Sequence, residues 1–364
     1  MLKSPQPPPD RLQPRRICLI KPSALGDVVQ TLPVLAGLRA RWPRAHISWV
    51  VNRPLSSLLE SVDELDQVIA FDRHLPLSKR PGSLVRLWHQ LRSNRFDLVI
   101  DLQGLLRSGL MTRATRAPCR LGMSNAREGA TMAYTHAIDV PRDMPAVERY
   151  WRLARALGCE GQPPALAPKP SSSDWNWVQQ ELADLPRPWL AIHPGAQWET
   201  KRWGIERFAE VARMAFDHYA TGTIILGGPD ETELCGQFEH CLRESSPEGN
   251  RLPLVNLAGR TSLNRLAAVS AMTDIFLSGD TGPMHLAAAM GTPTVAVFTC
   301  TSPFRAGPHG AGHRVVATAV SCAASYLKTC PTLHCRDELT PRRVWASLDA
   351  SLRQLFPSRT RHAG

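Results

Sequence analysis

Short apolar runs alternate with amphipathic stretches along the whole chain. In the first half, residues 17–20, 47–51, 68–71 and 98–101 read as strands, and residues 28–41, 84–91 and 105–114 carry apolar positions at helical spacing. The second half repeats the alternation, with strands expected at 189–193, 223–226, 255–257, 275–277 and 294–298. Helical patterns near 205–216, 231–243 and 263–272 lie between them. This rhythm predicts βαβ units in two parallel sheets, an α/β fold. Residues 161–173, rich in proline and serine, read as the joint. The expected division is a disordered leader at 1–16, an N-terminal domain at 17–160, a linker at 161–173, a second domain at 174–340, and a C-terminal helix and tail at 341–364.

Open α/β sheets bind ligands beyond the carboxyl ends of their strands, so the loops that follow strands are where chemistry is expected. Gly279-Asp280-Thr281-Gly282-Pro283-Met284-His285 follows the apolar run 275–277 and leads into a small-residue helical run. Such a turn aims backbone N–H groups and a positive dipole end at whatever lies above it, which suits a phosphate. Asp280 is too acidic to meet the phosphate itself and is expected to shape the loop or bind a hydroxyl. His285, one turn into the helix, is placed to reach the same anion. The competing reading is an ordinary helix cap at Asp280 or Thr281. Lys21-Pro22-Ser23-Ala24-Leu25-Gly26-Asp27 follows the first strand. Asp27 there is either an N-cap or a general base within about 3 Å of an acceptor hydroxyl.

His193-Pro194-Gly195-Ala196-Gln197-Trp198-Glu199-Thr200-Lys201-Arg202-Trp203 follows another strand. Lys201 suits a diphosphate as a point charge, and Arg202 suits a paired contact. A lysine at a helix start would oppose the helix dipole, which disfavours a merely structural role. Gly227-Gly228-Pro229-Asp230-Glu231 ends a strand with glycines; Asp230 is placed either to take ribose hydroxyls or to cap the next helix. The dinucleotide and Walker glycine patterns are absent, which lowers redox cofactors and NTP hydrolysis together.

The chain has 364 residues, enough for two domains. No apolar run approaches the roughly 20 residues of a membrane span, and the proline-rich, basic N-terminus does not read as a signal peptide. Nine irregularly placed cysteines favour a reducing cytoplasm. The formal net charge of +11 suits an anionic membrane face or a phosphorylated substrate. Nucleic acid is disfavoured, since no nucleic-acid-binding motif is present and only four tyrosines are available for stacking. Cys322, Cys330, His334 and Cys335 cluster late in the chain and are residues that bind zinc, although paired Cys-x2-Cys spacing is missing. The remaining cysteines read as packing residues.

Taken in order, five stretches resemble glycosyltransferase family 9, the lipopolysaccharide heptosyltransferases. They are Ser23-Ala24-Leu25-Gly26-Asp27, Asp101-Leu102-Gln103-Gly104-Leu105, His193-Pro194-Gly195, Lys201-Arg202-Trp203 and Gly279-Asp280-Thr281-Gly282. The resemblance runs from Ile17 to about Leu352 and implies a GT-B architecture, two Rossmann-like domains with parallel sheets facing across a cleft. It implies Asp27 as catalytic base and Lys201 as the cation on the donor diphosphate. Gln197, Thr200, Asp230, Asp280, Thr281, Gly282 and His285 would complete the nucleotide-sugar contacts. Ser23, Gly26, Gln103, Arg107 and Arg127 would meet the acceptor, and some of the other arginines of this half would meet its acidic groups.

The reaction so implied is an inverting, metal-independent transfer of heptose from ADP-heptose, a substrate rather than a cofactor, to an anionic glycolipid such as Kdo–lipid A. The expected location is the cytoplasm, on the inner face of the cytoplasmic membrane. Two alternatives stay open: a relative using another nucleotide sugar for a different surface glycan, and a non-catalytic nucleotide-sugar binding protein. Retention of Asp27 together with Lys201 speaks against the latter, because binding alone needs no base.

Overall fold

The computed structural model describes residues 8–72, 80–244 and 251–357. The chain divides into two compact units, residues 1–169 and 170–364. In the first unit the strands are β1 (Arg16–Ile20), β2 (His46–Asn52), β3 (Gln67–Phe71), β4 (Leu98–Asp101), β5 (Cys119–Met123) and β6 (His136–Ile138). They form one sheet in the order β3-β2-β1-β4-β5-β6, every neighbouring pair parallel. The second unit holds β7 (Trp189–His193), β8 (Gly222–Ile225), β9 (Leu254–Asn256), β10 (Ile275–Gly279), β11 (Thr294–Phe298) and β12 (Arg314–Ala317), in the order β12-β11-β10-β7-β8-β9. These pairs are parallel as well. The nine expected strands form close to their expected limits, and β5, β6 and β12 are additional.

All five residues of β7, β10 and β11 are buried. Helices cover both faces of such a sheet, so its central strands are continuous apolar runs rather than alternating ones. In the first unit, Leu87 and Leu91 of one helix (Arg80–Ser93) and Met111 and Ala114 of another (Leu106–Ala114) share a core cluster with Cys18, Ile20, Val50, Ile69 and Val99. In the second, Phe208, Phe238 and Leu348 pack with Ile192, Ile225 and Leu277.

Order reverses at one place in each sheet. In the first it lies between β1 and β4, whose chains leave for opposite halves of the sheet; in the second it lies between β7 and β10. Loops diverge at such a point and leave room for a ligand. The loops after β1, β4, β7 and β10 carry most of the residues singled out from the sequence.

The start of the chain differs from the expected leader. Residues 1–7 lie outside the described residues, but Pro9–Arg11 forms a single 3-10 turn and Arg16 already opens β1. The Asp10 carbonyl accepts from Arg41 Nη2 at 2.7 Å, and the Arg15 N–H donates to Asp97 Oδ2 at 2.8 Å, so residues 8–15 are tied to the domain behind them. Among the described residues no helix is long and apolar enough to cross a membrane.

The helix Ala146–Ala156, not among the expected helices, packs on the helix Leu32–Arg41. It does so through Trp151, whose ring lies so close to Gly37 that a Cβ there would stand 2.5 Å from it. Gly37→Val is therefore expected to overpack this contact and lower stability by about 1–3 kcal/mol. Urea unfolding of the variant checks this; a midpoint unchanged from the wild type would contradict it.

Candidate functional site

In the first unit, Lys21 follows β1 and is almost fully buried. A buried ammonium needs partners for its three donors. Lys21 Nζ donates to the Leu102 carbonyl at 3.1 Å and to the Tyr150 hydroxyl at 2.9 Å, and it stands 3.6 Å from Asp27 Oδ2. Tyr150 in turn donates to Asp27 Oδ1 at 2.9 Å. Burial pulls the ammonium down, but the charge of Asp27 and the Tyr150 contacts leave it above its ordinary value. Burial and the same carboxylate push the Tyr150 phenol up, so the hydroxyl stays protonated. Asp27 is not an N-cap. It sits in the first turn of the short helix Leu25–Val29 and receives the Ala24 N–H at 3.4 Å.

The neighbouring loop is organised by Asp101, the last residue of β4. Its buried carboxylate accepts from the N–H groups of Gln103 and Gly104 at 2.9 and 3.0 Å, and from the hydroxyls of Ser108 and Tyr134, both at 2.8 Å. Burial raises this carboxyl above its ordinary value in spite of these bonds. Gly104 adopts φ of +68°, a conformation that favours glycine, and its carbonyl accepts the Arg127 N–H at 2.8 Å. Gln103 Oε1 accepts the Ser23 N–H at 3.4 Å, which joins the loops after β1 and β4. Ser23, Gly26, Asp27 and Gln103 are thus brought together. Arg107 and Arg127 are exposed, and among the described residues neither guanidinium makes an ion pair. Sequence reading passed over Lys21 and Tyr150. Lys21 opens a motif already singled out, whereas Tyr150 lies on a helix whose apolar positions 147, 150, 151 and 154 recur at helical spacing, a signal the sequence reading passed over.

In the second unit, Lys201 closes the 3-10 turn Glu199–Lys201 after β7. Its ammonium lies 2.7 Å from Asp280 Oδ2 and 4.7 Å from the centre of the Trp198 ring. Asp280 is buried and also accepts from the Thr301 hydroxyl at 2.7 Å, so it does shape the loop. His285 Nε2 stands 4.0 Å from Asp280 Oδ1. Thr200 is buried and donates to the Leu327 carbonyl at 2.6 Å. The cap reading of the Gly279–His285 stretch fails on geometry. Thr281 occupies the N-cap position of the helix Gly282–Ala289 but its side chain makes no capping bond, and its buried Oγ1 has no hydrogen-bond partner. The first-turn N–H groups carry no side-chain cap and a positive dipole end.

The two lysine–aspartate pairs are built in opposite senses. In the first unit the lysine side chain is 3% exposed and the aspartate 39%. In the second the lysine is 19% exposed and the aspartate 7%. One unit presents a carboxylate backed by a cation; the other presents a cation backed by a carboxylate.

Two expected donor contacts stand apart. Gln197 and Asp230 are exposed, and among the described residues neither side chain makes a hydrogen bond. The engaged acid is the next residue, Glu231. It meets His193 Nε2 at 3.1 Å and accepts the Gly228 N–H at 2.9 Å, and a Cβ at Gly195 would stand 2.1 Å from its carboxylate. Burial alone would raise Glu231, but the hydrogen bond and charge of His193, the Gly228 N–H and Arg202 bring it to about 2. All nine cysteines are free thiols, Cys322 exposed and Cys335 buried. Among the described residues no three Cys, His, Asp or Glu side chains are grouped to hold a metal ion.

Comparison with known proteins extends this picture. The profile of glycosyltransferase family 9 (heptosyltransferase) matches residues 84–335. Lipopolysaccharide heptosyltransferase 1 of Pseudomonas aeruginosa is 30% identical over 365 residues, covering 93% of this chain and 98% of that protein. The lipopolysaccharide core heptosyltransferase OpsX of Haemophilus influenzae is 27% identical over 300 residues, 81% of this chain and 82% of that one. Among solved structures, the ADP-heptose LPS heptosyltransferase II of E. coli superposes with a TM-score of 0.75 at 24% identity, over 93% of this chain and 99% of that one. The fold is the GT-B fold of that enzyme.

The depressed Glu231 has a consequence for acid stability. Its folded-state value of about 2 lies below the ordinary 4.5, so its contribution is present above pH 4.5 and is lost as pH falls towards 2. Glu231→Gln should flatten the acid limb by on the order of 3 kcal/mol across that window. Urea unfolding at several pH values between 5 and 2 measures it, and parallel curves for wild type and variant would contradict it.

Proposed function

The chain belongs to glycosyltransferase family 9, and on that premise we propose that it moves heptose from ADP-heptose to the inner core of a lipopolysaccharide acceptor. The observation that carries the reading is the opposed construction of the two lysine–aspartate pairs. Glycosyl transfer needs a base for the acceptor hydroxyl and a positive charge for the departing diphosphate. Asp27 is the more exposed partner of the first pair and Lys201 the more exposed partner of the second.

In this mechanism the acceptor hydroxyl gives its proton to Asp27 while its oxygen bonds to the anomeric carbon. The bond from that carbon to the diphosphate oxygen breaks on the opposite face, so the anomeric centre inverts. Lys21 and the Tyr150 hydroxyl hold the Asp27 carboxylate in place for this task. Negative charge grows on ADP as it leaves. Lys201, the uncapped start of the helix Gly282–Ala289 and the free Thr281 hydroxyl stabilise it there. A cation and a helix terminus do the work a metal ion does elsewhere, so transfer is proposed to proceed without one. Asp280 keeps the Lys201 ammonium in position rather than touching phosphate, and Glu231 rather than Asp230 is proposed to meet the nucleoside side of the donor. Ser23, Gly26, Gln103, Arg107 and Arg127 are proposed to meet the acceptor. Because that acceptor is a membrane glycolipid, the protein is proposed to work from the cytoplasm against the inner membrane.

Substitution separates the two poles. Asp27→Ala should lower transfer by about 10²–10⁴-fold, the range of a lost general base, while ADP binding by calorimetry stays within about twofold. Lys201→Met should weaken ADP binding instead. Transfer by Asp27→Ala at the wild-type rate would remove Asp27 from the mechanism.

A further inference from the structure

The helices Arg80–Ser93 and Leu106–Ala114 pack side by side over the same face of the first sheet, which their inward residues Leu87, Leu91, Met111 and Ala114 cover. Their outward residues are unusual for a surface in water. Leu84, Val85 and Trp88 stand exposed on the first helix, Trp88 by 45%, and Leu106 and Leu110 on the second. The 3-10 turn Ala130–Ala133, which packs against the second helix, adds Met132 at 81% exposure. Large apolar side chains are expected to scatter singly over a monomer; grouped on adjacent elements they mark a contact surface.

The charge of the same surface is mainly positive. Neither helix contains an acidic residue, and Arg86, Arg107, Arg113 and Arg116 are exposed on them or at their ends. Across residues 80–116 the only acids are Asp97 and Asp101. Asp97 is engaged by the Arg15 and Arg16 N–H groups, and Asp101 is buried in its own loop. One exposed acid, Glu128, adjoins the face and accepts the Leu106 N–H at 3.1 Å, so arginines outnumber acids there. A face that joins Leu, Val, Met and Trp side chains to such an excess of guanidinium groups fits the boundary of an anionic bilayer. There the apolar groups enter the headgroup region and the arginines meet lipid phosphates.

We propose that this face, formed by the helices Arg80–Ser93 and Leu106–Ala114 with Met132, seats the protein on an anionic phospholipid bilayer. It deepens the reading of a membrane glycolipid acceptor and rests on that reading for its purpose, but lipid binding itself is measured without any transfer. The acceptor-side residues Arg107 and Arg127 lie on or beside this face, so seating it on lipid brings them towards headgroups carried in the same leaflet.

The test is sedimentation of the full chain with phosphatidylcholine vesicles, with and without phosphatidylglycerol, at low and high salt. Binding should require phosphatidylglycerol and weaken with salt. Arg86→Glu should weaken it at least about fivefold, and Leu84→Ser/Trp88→Ser at least about tenfold. Both variants should transfer to a soluble, deacylated acceptor like wild type. Trp88→Phe should keep binding but lose part of the tryptophan quenching caused by brominated lipids. Wild-type binding by both disruptive variants would overturn the proposal, as would unchanged quenching in Trp88→Phe. So would a wild type that ignores vesicles but self-associates through Trp88, since the face would then serve a second copy of the chain. Lipid binding that follows this pattern in a protein that transfers no heptose would uphold the surface and refute the proposed reaction alone.

Discussion

A parallel sheet covered on both faces has no room for an unpaired charge inside it, so charge collects where its strands end. In each unit of this protein a lysine and an aspartate pair on the segments that follow the strands beside the one place where strand order reverses. There each must satisfy the other. Breaking one buried partner of such a pair typically costs about 3–5 kcal/mol, because the remaining charge is stranded. The surrounding loops are arranged around that requirement. Asp101 gathers the loop after β4 and hands Gln103 to Ser23, and Thr301 completes the coordination of Asp280.

What differs between the units is which partner faces solvent, and the difference follows from the elements behind each pair. Tyr150 and the Leu102 carbonyl enclose Lys21 from the core side, which leaves Asp27 on the open side. Asp280 directly follows β10 and is enclosed with Thr301, which leaves Lys201 outermost beside the Trp198 ring. One architecture used twice therefore leaves a carboxylate outermost in one copy and an ammonium outermost in the other. Those are the two charges that displacement of a nucleoside diphosphate from a sugar demands.

Much of this was legible in the sequence, for definite reasons. Strands buried on both faces leave unbroken apolar runs, and the loops after them carry glycine and aspartate at turns, so nine strands and the Asp27, Lys201 and Asp280 loops could be read. β5, β6 and β12 were not read. β5 is interrupted by Arg120 and Gly122, β6 has three residues, and in β12 the apolar run is only Val315-Val316-Ala317, too short to stand out. Contacts made across distant sequence were also hidden. Nothing local ties Tyr150 to Asp27, 123 residues away. Asp230 and Glu231 are adjacent acids after one strand, and only the approach of His193 and Gly195 distinguishes them. The uncapped Thr281 was equally invisible, since its type is that of a good N-cap.

The central proposal is acceptor-dependent transfer of heptose with Asp27 as its base. The most direct measurement is release of ADP from ADP-heptose by the purified protein, with and without a Kdo-bearing lipid A acceptor. Release that depends on the acceptor, with heptose found on it in the inverted anomeric configuration, is the predicted result. ADP that binds but is never released from the sugar in the presence of acceptor would contradict the claim.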